Sequence, residues 1–113
     1  MEVRYDEAGL ASIIGQMIEQ KLREKEKLVR NLRGSITIEL TDFDSSATVY
    51  FTGDSVIVRN GGGGEALIST DFETLNKLAT GEIGTLGALK LMLKRKLKIK
   101  GLGMAMKLQS LLT

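Results

Sequence analysis

The spacing of the apolar residues changes twice along the chain, and this change constrains the fold more than any other feature of the sequence. Over residues 10–22 apolar side chains recur at helical spacing, which predicts one long amphipathic helix. Over residues 36–69 they alternate with polar residues, as in half-buried strands, and over 72–112 helical spacing returns. Helices segregated from a run of strands predict an α+β fold.

The middle of the chain predicts four strands, at residues 36–41, 48–52, 55–59 and 66–69. Gly53 and Asp54 have the composition of a two-residue hairpin turn. The glycine run 61–64 predicts a further hairpin loop, because Ala66 leads into a strand rather than a nucleotide-binding helix. Connections this short favour antiparallel neighbours, so we expect a largely antiparallel sheet.

The last third of the chain predicts helices around one short strand. Thr70 and Glu73 have the spacing of a capping box, and Gly81 is suited to ending the helix that follows. A second helix, over about 84–95, has its polar residues confined to a narrow strip. Its apolar surface is therefore wider than a single core contact requires.

The predicted elements follow the order α-β-β-β-β-α-α-β-α, with the last strand at 97–100 and the last helix at 104–112. A chain of 113 residues can build one modest hydrophobic core without disulfides or metals. We therefore expect a single domain over residues 1–113, with helices stacked on one face of the sheet.

The chain contains no cysteine and no histidine. It therefore lacks a thiolate, an imidazole base and the nucleophile pairs built from them, and it lacks the side chains that most often hold transition metals. The acidic residues at 42–44 and 71–73 stand where turns and helix caps explain them. We expect no enzymatic activity, no metal and no cofactor; an enzyme acting through Asp44, Tyr50 or Lys94 is the open alternative.

Charge and hydropathy limit the partners and the location. The net charge is only +2 and aromatic residues make up 4% of the chain, so we expect no nucleic-acid binding. No apolar stretch approaches the ~18 residues that a membrane span needs. Residues 1–7 are acidic and mixed rather than a basic leader, and we expect a cytoplasmic protein.

Five of the seven residues from Lys94 to Lys100 are cationic. One interpretation is a solvated edge strand that lysines protect from aggregation. The other is a binding surface for an anionic group, such as a lipid head group or a coenzyme A phosphate. Met92, Met104 and Met106 lie in the two most apolar segments, and flexible methionines suit a cavity that accepts variable apolar shapes.

Three blocks of the sequence, 71–81, 96–101 and 103–109, resemble the sterol carrier protein type two domain family in residue pattern, order and spacing. The resemblance implies a five-stranded sheet covered by helices around a hydrophobic tunnel. It also implies binding of fatty acids, fatty acyl-coenzyme A, phospholipids or sterols without chemistry on them. The chain departs from the family at Arg95, where glycine is usual. Residues 111–113 also differ from the peroxisomal tripeptide that ends eukaryotic members.

We hypothesise that the widest apolar stripes form the tunnel wall and that cations at its rim contact an anionic head group. The wall residues are Ile14, Met17, Ile38, Phe51, Leu75, Leu86, Leu89, Leu93, Met104, Leu108 and Leu111. The head-group residues are Lys94, Arg95 and Lys98.

Two alternatives concern partners. The same stripes could form a protein-interaction or dimerisation surface, accessory to a lipid-metabolising enzyme. The amphipathic first helix, with its flanking lysines and arginines, allows transient contact with a membrane surface. We expect a monomer or a weak homodimer that holds a lipid or another amphiphile.

Overall fold

The computed structural model describes residues 1–113, except for the side chain of Thr85. The strands are β1 (Glu2–Tyr5), β2 (Arg33–Leu40), β3 (Ser45–Thr52), β4 (Ser55–Asn60), β5 (Ala66–Thr70) and β6 (Leu97–Lys100). The helices are α1 (Gly9–Arg30), α2 (Phe72–Thr80), α3 (Thr85–Leu93) and α4 (Leu102–Leu112). The nine predicted elements are all present, and the α+β class is confirmed.

The strands form one sheet in the order β1-β4-β3-β2-β5-β6. The central strands β2, β3 and β4 form an antiparallel meander, and β6 runs antiparallel to β5. The pairs β1–β4 and β2–β5 are parallel. The prediction of five strands is therefore wrong, because the sheet has six, whereas three of its five strand pairs are antiparallel, as expected for a mostly antiparallel sheet.

The core lies between one face of this sheet and the helices. Ile36 and Ile38 of β2 are buried on that face, and Ile14 and Ile18 of α1 are buried against the sheet. Helix α1 covers β1, β3 and β4, whereas α4 lies over β2, β5 and β6. Helix α2 packs against α4, and α3 packs against β6.

Strand β1 was missed in the sequence because four residues are too few for a clear alternating pattern. In the structure Val3 pairs with Val56 of β4, which extends the sheet at its far edge. Tyr5 then packs directly on α1 at Gly15. A Cβ atom at Gly15 would lie 2.2 Å from Tyr5 Cγ, so this close approach of strand to helix requires glycine.

The glycine-rich segment 61–65 is a crossover rather than the predicted hairpin. It leads from β4 over β3 and β2 to the start of β5. Three strand spacings are about 14 Å, and six residue steps span up to roughly 20 Å, so the short segment can reach. Thr48 Oγ1 donates to Gly61 O at 2.8 Å, and Gly64 N donates to Thr37 Oγ1 at 2.9 Å. Hydrogen bonds to strand hydroxyls thus take the place of hairpin pairing.

Helix α2 begins one residue later than the predicted capping box. Asp71 is its N-cap, and Asp71 Oδ1 accepts a hydrogen bond from Thr74 N at 2.7 Å. Thr70 is instead the last residue of β5, and its Oγ1 donates to Lys96 O at 2.9 Å. Sheet pairing therefore takes precedence over capping at Thr70, and the carboxylate of Asp71 serves as the cap.

Candidate functional site

An apolar, partly open cavity of about 170 Å³ lies between α2, α3, α4 and the β5–β6 edge of the sheet. Ile68 of β5 and Ile99 of β6 form its floor, and three helices form its sides. The lining residues are Ile68, Leu75, Leu78, Ala79, Ala88, Leu89, Met92, Ile99, Leu102, Ala105, Met106, Leu108, Gln109 and Leu112. The cavity is therefore enclosed by three helices and two strands.

Among the lining residues that the structure describes, Gln109 is the only polar one. Gln109 Nε2 donates to Ile83 O at 3.2 Å, which ties α4 to the connection between α2 and α3. The rest of the wall is aliphatic carbon and the thioethers of Met92 and Met106. A charged group placed inside would lose its hydration without gaining a partner, so the cavity suits hydrocarbon.

A second cavity of about 280 Å³ lies beside the first, between α1 and the ends of α2 and α4. Its lining is more polar and includes Met17, Gln20 and Lys21 of α1. Ala79 and Leu112 line both cavities. These two side chains therefore form the partition between an apolar chamber and a mixed one.

The structure places the predicted wall residues in several environments. Leu75, Leu89 and Leu108 line the apolar cavity, and Met17 borders the second one. The remaining members are buried in the core (Ile14, Ile38, Phe51 and Leu111), half-buried (Met104) or exposed (Leu86 and Leu93). A ligand contact for any of these residues stays a prediction.

The sequence pattern did not single out the floor of the cavity. Ile68 and Ile99 form it, paired across β5 and β6. The signal was present, because Ile99 lies on the apolar side of a strand whose other side carries lysines. Met92 and Met106, singled out as adaptable residues, also line the cavity, whereas Met104 packs close to Gly34.

Lys94 and Arg95 lie together at the end of α3, where both are exposed. Arg95 N donates to Met92 O at 3.1 Å, and Lys96 N donates to Leu91 O at 2.9 Å. These two bonds form a Schellman motif, whose terminal residue adopts the left-handed conformation that glycine prefers. Arg95 has a φ of 60°, so this arginine occupies a turn position that glycine usually fills.

Lys98 lies on a different surface from Lys94 and Arg95. It pairs with Ser69 of β5, whose Oγ donates to Glu39 Oε1 at 2.8 Å on the sheet face away from the helices. Its neighbour Ile99 has the opposite orientation and reaches the cavity floor. The predicted head-group residues are thus divided between the end of α3 and the outer sheet face, and their contact with a ligand stays a prediction.

The site contains few groups suited to chemistry. No titratable side chain is among the described residues that line the apolar cavity. Within the described residues, no group of three or more aspartate, glutamate, histidine or cysteine side chains could hold a metal ion. None of the helices in the described structure combines the length and the apolar character needed to cross a bilayer.

These features define the class of protein: an α+β domain with helices on one face of a mixed sheet and an apolar cavity at one edge. Residues 14–113 match the SCP-2 sterol transfer family, and the chain belongs to this family. The family is associated with sterol and lipid binding and transfer, and its domains are generally non-catalytic. Among curated proteins, none matches this sequence.

Solved structures share the fold at low sequence identity. The ubiquinone synthesis protein UbiJ-SCP2 is 17% identical with a TM-score of 0.64, over 89% of this chain and 87% of that one. Sterol carrier protein domain 2 of Helicoverpa armigera is 19% identical with a TM-score of 0.61, over 91% and 84%. A sec-alkylsulfatase from Pseudomonas sp. is 16% identical with a TM-score of 0.60, over 78% of this chain and 13% of the sulfatase. At these identities the similarity shows the fold.

Proposed function

We propose that this protein binds the hydrocarbon part of a lipid in the apolar cavity and carries it without changing it chemically. The observation that carries this proposal is the composition of the cavity wall, which is hydrocarbon and thioether apart from Gln109. A stable core has no need for an open apolar cavity, because each unfilled space forfeits packing energy. A ligand that fills the cavity restores that energy.

The size of the cavity favours a flexible ligand. Its volume of about 170 Å³ is close to that of an engineered cavity of about 150 Å³ that holds benzene. It is below the range of roughly 300–1,000 Å³ found for most ligand pockets. Part of an acyl chain fits this space directly, whereas a rigid sterol nucleus requires the wall to move further.

The partition between the two cavities offers the additional room. Leu112 and Ala79 separate the apolar chamber from the second cavity. A rotation of Leu112, together with adjustment of Met92 and Met106, would join the two chambers into a tunnel. We therefore favour a fatty acid, a fatty acyl-coenzyme A or a phospholipid, with its chain running from the apolar chamber towards Met17.

The head group of such a ligand stays outside the apolar chamber, since no charged side chain lines it. Lys94 and Arg95, exposed at the end of α3, are the cations that we assign to an anionic head group. An exposed cation pair of this kind contributes modestly to affinity and loses much of its effect in salt. Most of the binding energy should therefore come from the hydrocarbon chain.

Native mass spectrometry of the gently purified protein tests the proposal, followed by extraction and lipid analysis. We expect a lipid in a one-to-one complex, or stoichiometric uptake of a fluorescent fatty acid by the delipidated protein. Ala88→Phe should fill the cavity and block uptake, because Ala88 lines it from α3. Ala8→Phe, at the N-cap of α1, is the matched control. A folded protein that is empty and takes up no fatty acid would overturn the proposal.

A second candidate is an accessory role on another protein, with the apolar surface as the interface. It is favoured by Leu86 and Leu93 on α3, which are 76% and 86% exposed and do not line the cavity. Analytical ultracentrifugation tests whether this apolar surface joins two copies of the chain. A monomer at micromolar concentration excludes a stable homodimer through this face.

A further inference from the structure

The exposed side of α3 carries three leucines beside two lysines. Leu86, Leu89 and Leu93 are 76%, 46% and 86% exposed. Lys90 and Lys94 follow Leu86 by one and two helical turns, and both are exposed. We call these five residues the α3 face. It differs from the exposed side of a typical surface helix, where charged and polar residues dominate.

The α3 face continues across the mouth of the apolar cavity onto α4. Leu102 and Met106 of α4 are each about half exposed, and both also line the cavity, as does Leu89 of α3. The rim of the opening is therefore apolar on both sides. Scattered exposed leucines are ordinary, but a contiguous apolar surface around an opening indicates a binding surface.

The C-terminal part of the chain, which contains α3 and α4, carries charges of one sign. Residues 83–113 contain seven lysines and arginines and no acidic residue, whereas residues 1–82 contain nine basic and fourteen acidic residues. The ion pairs formed by described residues all lie in the first part of the chain, between Met1 and Lys77. A net charge of +2 for the whole chain thus conceals a strongly basic terminal region beside an acidic body.

We propose that the α3 face docks on the surface of an anionic membrane. Leucines at the centre of the face would enter the boundary between head groups and acyl chains, while Lys90 and Lys94 extend to the phosphates. Each cation near an anionic surface strengthens attachment, and Arg95, exposed beside Lys94, adds a third cation to this end of α3. The acidic body would be repelled by the same surface, which fixes the orientation of the protein.

A second copy of the chain is a poorer occupant of this face. In a two-fold dimer the same patch meets itself, so Lys90 and Lys94 of one copy would approach those of the other. Like charges brought together at an interface oppose association. An anionic bilayer supplies both the apolar layer for the leucines and the opposite charge for the lysines.

Docking in this orientation brings the mouth of the cavity onto the bilayer. The rim residues Leu89, Leu102 and Met106 would then lie against the acyl-chain layer. A lipid chain could pass between membrane and cavity without crossing water. The docking proposal does not require that the cavity holds a lipid, so it can fail or succeed independently of the proposed function.

Flotation with vesicles tests the proposal, using phosphatidylcholine alone and phosphatidylcholine with one-third phosphatidylglycerol. We expect the intact protein to bind the anionic vesicles much more tightly, with weakening as salt is added. Lys90→Gln/Lys94→Gln should weaken binding roughly 30-fold, because each lysine near such a surface contributes about a factor of five. Leu86→Ser/Leu93→Ser should weaken it at least about tenfold.

Helix α1 provides matched controls for both variants. Arg23→Gln/Lys27→Gln removes two exposed cations at the same spacing, and Leu28→Ser removes an exposed leucine. Both should retain vesicle binding. Equal losses in the α1 and α3 variants, or no binding by the intact protein, would overturn the proposal. A dimer that the Leu86→Ser/Leu93→Ser variant converts to monomer would overturn it in favour of a second copy.

Uptake of a fluorescent fatty acid without vesicles separates docking from lipid binding. Leu86 and Leu93 do not line the cavity, so Leu86→Ser/Leu93→Ser should take up the probe normally while failing to bind vesicles. Normal vesicle binding by a protein that takes up no fatty acid would leave docking supported and the proposed function overturned.

Discussion

Thr37 Oγ1 and Thr48 Oγ1 lie 2.8 Å apart on neighbouring strands, beneath the glycine crossover. Thr48 donates its hydroxyl proton to Gly61 O, so Thr37 must be the donor between the two threonines. Thr37 Oγ1 in turn accepts from Gly64 N. The two hydroxyls therefore hold both ends of the crossover, because each of them accepts one hydrogen bond and donates the next one in the series.

Replacement of Thr48 by valine should release the crossover with little change in shape. Thr48 is almost fully buried, so the Thr37 hydroxyl would lose its acceptor away from water, and Gly61 O would lose its donor. We expect a loss of about 1–3 kcal/mol in the free energy of unfolding. Urea denaturation measures it, and Thr41→Val, at an exposed position, should change stability by less than about 0.5 kcal/mol.

Replacement of Arg95 by glycine should stabilise the protein. Arg95 has a φ of 60°, a conformation that costs a residue with a Cβ roughly 1–2 kcal/mol. Part of this gain is lost to the greater flexibility of glycine in the unfolded chain, so we expect a net gain of about 1 kcal/mol. Thermal unfolding measures the change. Lys94→Gly removes the same charge at a φ of −83° and should destabilise instead.

Replacement of Leu89 by lysine should abolish uptake of a fluorescent fatty acid. Leu89 is partly exposed, so the variant can fold, but the new ammonium group would stand at the rim of the apolar cavity. We expect at least a tenfold loss of affinity, because the acyl chain would have to displace its hydration. Leu86→Lys lies on the same helix outside the cavity and should bind normally. Uptake by a folded Leu89→Lys protein would remove Leu89 from the wall.

Replacement of Leu112 by alanine should join the two cavities. The truncation costs about 2–4 kcal/mol in stability, as expected for a buried leucine. It should also shift the preferred fatty acid towards longer chains, because the partition is opened. A competition series over chain length measures the shift. Leu111→Ala, at a buried position that lines neither cavity, should cost similar stability and leave the preference unchanged.

Replacement of Asp71 by alanine should destabilise the protein in a pH-dependent manner. The hydrogen bond from Thr74 N holds the pKa of Asp71 below its ordinary value of 3.8. The cap contribution, about 1 kcal/mol, is therefore complete above that value and is lost as pH falls through the lower folded pKa. Denaturation should show that Asp71→Ala has a lower free energy of unfolding than the unmodified protein at pH 7, and that this difference shrinks in acid. Asp71→Asn keeps a capping oxygen that does not titrate, so its loss of stability should be small both at pH 7 and in acid.

The local spacing of apolar residues predicted most helices and strands. It could not predict which strands pair with each other, because that depends on residues far apart in sequence. Alternation identified β2 through β6, and helical spacing identified α1. The parallel pairing of Ile36 with Ala66 joins residues far apart in sequence, and no local signal distinguishes it from a hairpin. Thr70 failed as a cap for the same reason, since its pairing with Leu97 kept it in the sheet.

The lining of the cavity could be predicted only in part, because it depends on how α2, α3 and α4 are arranged in space. Leu75, Leu89 and Leu108 line the apolar cavity, and their contact with a ligand stays a prediction. Leu86 and Leu93 share the apolar character of Leu89, yet α3 is too lightly covered to bury them. Composition shows how much apolar surface a helix has, but only the neighbouring helices determine which part of it is enclosed.

The crossover also has a consequence for the order of folding. The meander β2–β3–β4 forms from short hairpin connections, whereas β5 must find β2 across some thirty residues of chain, as Ile36 does with Ala66. Strand β6 can add only after β5 is in place, and α3 and α4 have no floor until then. We therefore expect the cavity to be the last region to assemble. Its basic, leucine-rich segments would remain accessible to chaperones or to a membrane while the rest of the sheet is already formed.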